Sequence, residues 1–131
     1  MLTAVIAFAV HAGQRCAAFD FQYCGEGLGM RDVAYLCVSS LDEGVLQQQE
    51  QQLLQHYHGE LLQQLHAAGK EKAAEFYTYD VMLSHFDLCV VDYVRFMAGW
   101  GMWGNVQWAK QRTQQVLRQL PAVVKVARSV W

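Results

Sequence analysis

The 131-residue sequence has one proline, no Cys-x-x-Cys pair, no Gly-x-Ser-x-Gly and no acid after Asp92. Each absence excludes something. Without proline- or serine-rich stretches there is no linker, and the length suits one domain rather than two. Cys16, Cys24, Cys37 and Cys89 lie 8, 13 and 52 residues apart, too scattered for a zinc site and too few for a disulfide framework. All four read as reduced thiols, which points to an intracellular, cytoplasmic protein. No apolar run approaches the ~18 residues of a membrane-spanning helix. Without the Ser-centred elbow there is no hydrolase nucleophile, and His56 and His58, two apart, cannot share a helix face as zinc-protease histidines do.

What is present is apolar and asymmetric. Hydrophobic residues make up 53% and charged residues 17%, too apolar for a disordered chain. Residues 1–92 hold all 12 acids with four bases, whereas residues 93–131 hold six bases: Arg95, Lys110, Arg112, Arg118, Lys125 and Arg128. The bases of the last helix fall roughly opposite its Val106/Ala109/Leu117 stripe, as on a solvated face. Trp100 and Trp103 lie among Gly99, Gly101 and Gly104, a pattern that reads as a helix-packing corner rather than a base-stacking platform. Neither a nucleic acid nor a membrane is expected as partner.

The chain reads as mainly α: a short N-terminal strand or hairpin, then four to five helices. Residues 1–14 form an uncertain apolar lead, with a strand, a short helix and a signal peptide as alternatives. Residues 15–41 hold a strand, a glycine loop and a first helix opening at Asp32; residues 42–131 form a helical subdomain. Within it, Leu46, Leu53, Leu54, Tyr57, Leu61 and Leu65 recur at three- and four-residue steps, opposite a glutamine-rich face, and Gly69 stops the helix. A central helix is expected from Tyr77 to Met97. Asn105 suits the cap of another helix, which Pro121 kinks or ends before the tail resumes helix.

Three features bear on chemistry. Gly25, Gly27 and Gly29 alternate after a strand, but the dinucleotide fingerprint and the P-loop both require other spacings. A loop with positive φ is the reading from the residues. Asp20, between Phe19 and Phe21 where a strand leaves the core, is costly to bury without a cation or donors. It is either a Mg²⁺ ligand or the acceptor of an Asx-type turn. Asp32, before an apolar helical stretch, suits a helix cap.

Residues 19–36, FDFQYCGEGLGMRDVAYL, resemble the stretch after the catalytic loop in the aminoglycoside phosphotransferase/choline kinase superfamily. The ecdysteroid-kinase-like (CHK kinase-like) branch is the nearest in pattern. The corresponding residues are Asp20-Phe21-Gln22, the loop Gly25 to Gly29, and Asp32-Val33-Ala34, followed by a Ser-Leu corner at Ser39–Leu41 and a Tyr57-to-Leu61 segment. The resemblance implies the C-terminal part of a kinase-like large lobe, with ATP and Mg²⁺ as cofactors and a small-molecule hydroxyl acceptor as substrate. Asp20 would be the metal ligand and Asp32 a structural brace. Yet residues 1–19 contain no Asp, Glu or Asn, so the catalytic base and second metal ligand of the family have no counterpart and no catalytic residue is assigned. Missing partner surface, from a small lobe or another chain, would leave apolar patches exposed. The other reading is a non-catalytic helical interaction module, binding a protein or acidic surface through its basic C-terminal helix.

Overall fold

The computed structural model describes residues 2–3, 7–11, 15–19 and 25–130. The apolar lead contributes strands: β1 (Leu2–Thr3) and β2 (Ala7–His11). β2 pairs antiparallel with β3 (Arg15–Phe19), Ala7 opposite Phe19 and His11 opposite Arg15. β1 pairs with β4 (Gly25–Glu26), Leu2 opposite Glu26. Six α-helices follow among the described residues, a mainly α chain as the pattern implies: α1 (Met30–Ser39), α2 (Glu43–Ala67), α3 (Glu71–Phe76), α4 (Tyr79–Trp100), α5 (Val106–Arg118) and α6 (Leu120–Ala127), closed by a 3₁₀ turn at Arg128–Val130.

The helix ends follow local chemistry. Asp42 Oδ1 accepts from the Gly44 and Val45 amides at 2.9 and 3.2 Å, starting α2. Its stop is a Schellman motif: Gly69 takes φ +67°, its amide donates to His66 O and that of Lys70 to Leu65 O. Thr78 Oγ1 caps α4 through the Val81 amide. Pro121 sits in the first turn of α6, where its missing N–H costs nothing, so it separates α5 from α6.

α4 is the central element, with Val81, Met82, Phe86, Cys89, Val90 and Met97 buried against α1, α5 and α6. The leucine stripe of α2 is less engaged than its periodicity suggests. Leu46 and Leu54 are buried, whereas Leu53 is exposed. At ~1.5 Å per residue the 25-residue α2 is about 37 Å long, longer than the helices it packs on. Its glutamines face solvent throughout.

Cys37 of α1 and Cys89 of α4 are buried free thiols in this core. Burial pushes both up from 9.0 to about 12. In the native chain at pH 8, iodoacetamide should therefore leave both unmodified by peptide mapping, while denaturant exposes both. Because the folded values lie above the unfolded ones, the folded state retains protons that the unfolded chain loses. The thiol contribution to stability is complete below pH 9 and is lost as pH rises toward 12.

Candidate functional site

The hairpin and α1 frame the stretch singled out by sequence. β3 ends at Phe19, immediately before Asp20, and β4 and α1 follow. Asp20 itself, with Phe21 and Gln22, lies outside the described residues. The glycine loop does not use positive φ. Gly25 pairs as extended chain with Thr3, and Gly29 takes φ −59° because it leads straight into α1. The left-handed glycines among the described residues are Gly69, Gly101 and Gly104, all at helix ends.

Asp32 is not the cap expected of it. α1 begins two residues earlier, at Met30, with Gly29 at the N-cap position and no side-chain cap. Asp32 instead occupies the first turn, where a carboxylate still complements the free amides and the helix dipole. Its charge reaches neighbouring elements. Burial raises the Tyr57 phenol on α2 and the carboxylate of Asp32 adds to that rise; Asp32 acts likewise, more weakly, on Cys89 of α4. The charge at the start of α1 is thus felt on both α2 and α4.

A polar cluster that sequence reasoning missed ties three helices together. Arg112 of α5 donates from Nε to Asp87 Oδ1 of α4 at 2.7 Å and from Nη1 to Glu50 Oε1 of α2. Glu50 Oε2 also accepts from Trp108 Nε1 at 2.9 Å, and the guanidinium lies over the Phe86 ring at 5.2 Å. Arg112 therefore points inward and is not part of the solvated basic face. Burial pushes the Asp87 carboxyl above its usual 3.8, outweighing the opposite pull of Arg112. The visible hint was Asp87 itself, a carboxylate inside the apolar run VMLSHFDLCVV. With both carboxylates and the cation satisfying one another, the cluster is a brace and offers no free acid or base.

Two histidines are also structural ties. His85 is 2% exposed. Its Nε2 faces the Ala127 carbonyl at 2.9 Å and its Nδ1 the Tyr77 hydroxyl at 3.3 Å. A carbonyl only accepts, so the neutral ring carries its proton on Nε2 and accepts from Tyr77 at Nδ1. His58 of α2 donates from Nε2 to the Tyr77 carbonyl at 2.8 Å by the same logic. Together they hold α2 and the end of α6 on the α3–α4 junction.

Asn105 is displaced from its expected role as well. It makes no side-chain cap for α5. Its Nδ2 donates to Cys37 O at 2.8 Å and Leu41 O at 3.0 Å, and its amide donates to Val38 O at 2.7 Å. It closes the C-terminal end of α1, some 68 residues earlier in the chain. Among the described residues no group of three or more His, Cys, Asp or Glu is arranged to hold a metal ion, and no helix is long and apolar enough to cross a membrane.

Residues 8–70 match the model of the ecdysteroid kinase-like family. This segment, just under half of the chain, is similar to the ecdysteroid-kinase-like branch of the phosphotransferase superfamily. The match runs from β2 to the end of α2 and contains both Asp20 and Asp32. No curated protein and no solved structure matches the chain significantly.

Proposed function

We propose that the chain is the C-terminal part of the large lobe of an ATP-dependent small-molecule phosphotransferase, which would transfer a γ-phosphate to a hydroxyl acceptor. The observation that carries this reading is the family match over residues 8–70, a segment that contains Asp20-Phe21-Gln22 and Asp32-Val33-Ala34. Asp20, directly after β3, is the proposed Mg²⁺ ligand toward the nucleotide phosphates. Asp32, in the first turn of α1 and electrostatically coupled to α2 and α4, is the proposed brace. Helices α2 to α5 would shape the acceptor cleft, and the cytoplasm is the proposed location.

The donor set does not complete a metal–nucleotide site. Asp20 is one carboxylate, residues 1–19 add no Asp, Glu or Asn, and no metal cluster occurs among the described residues. No step is therefore routed through Mg²⁺ or ATP, and the 131-residue chain is proposed to be inactive by itself. Phosphoryl transfer depends on positioning and charge neutralisation that one carboxylate cannot supply. A turnover assay with ATP, Mg²⁺ and a panel of small alcohols should give background rates, the same for Asp20→Ala. Phosphorylation above background that is lost in Asp20→Ala would refute the inactivity. Transcript sequencing upstream of Met1 tests the rest: an in-frame His-Gly-Asp is expected.

A further inference from the structure

We draw no further inference here: the strongest candidate, the exposed aromatic patch of Phe96, Trp100 and Trp103 where α4 ends, is an apolar surface with nothing in the structure to show what covers it.

Discussion

Arg112→Met is expected to destabilise the fold by about 3–5 kcal/mol, one of the two largest effects of any substitution considered. The reason is what remains. Glu50 and Asp87 are mostly buried, and their common cation is Arg112. Removing it leaves two carboxylates facing each other in a poorly solvated space, which costs far more than the net worth of the pairs. Methionine fills much of the arginine volume, so a cavity contributes little. The loss should shrink as pH falls from 7 toward 4. Asp87 already sits above 3.8 through burial, and without the pull of Arg112 its carboxyl moves higher. A folded value above the unfolded one means stability declines as pH rises through that window, and is regained when the folded Asp87 carboxyl is protonated. Urea denaturation of Arg112→Met at the two pH values checks the magnitude and the sign. A triple variant, Arg112→Met with Glu50→Gln and Asp87→Leu, should recover most of the loss. It removes every buried charge of the cluster, while the amide oxygen introduced by Glu50→Gln can still accept from Trp108 Nε1. If the triple variant were as unstable as the single one, packing rather than charge would be the cause.

Gly104→Ala is the second, with an expected cost of about 3–5 kcal/mol. Two effects combine. Gly104 has φ +71°, and an L-residue in that region costs about 1–2 kcal/mol. In addition, a Cβ there would lie 2.0 Å from Val38 O and 3.0 Å from the Ser39 Cα, both backbone atoms that cannot rotate away. Relieving the clash means separating the α4–α5 loop from α1 and breaking the bonds that Asn105 makes to Cys37, Val38 and Leu41. Gly69→Ala is the internal control. Its φ of +67° is nearly the same, but nothing lies within 4 Å of the new Cβ. It should cost only the conformational part, about 1–2 kcal/mol. The difference in thermal or urea stability between the two variants measures the close approach of the loop to α1. Equal losses would mean that the loop yields freely.

These effects arise where the sequence is hardest to read. Leucines every three or four residues and Gly69 delimit α2 to within a residue at each end, and the apolar density from Val81 onward marks α4 as central. Both are local properties of the backbone and of one helix face. The family resemblance was legible for a similar reason: residues 19–36 carry a contiguous pattern, and the family match from 8 to 70 encloses it. Helix starts were less legible. α1 opens at Met30 and not at Asp32, because Gly29 can adopt helical φ without a side-chain cap. α3, six residues long, has too few turns to establish a periodicity.

Composition and pattern alone determined that this chain is mainly helical and that its thiols at 37 and 89 sit in apolar surroundings, while the stretch holding Asp20 and Asp32 resembles a phosphotransferase-type motif. Tertiary structure decided the direction and purpose of individual polar and aromatic side chains. Arg112 turns inward because Glu50 and Asp87 lie across from it, on helices 62 and 25 residues away in sequence. Asn105 serves α1 instead of α5 because the end of α1 is where the loop lands. Trp100 is exposed because α4 continues past Met97, its last buried residue. In each case the deciding surroundings are set by elements distant in sequence, and no window short enough to show periodicity contains both partners.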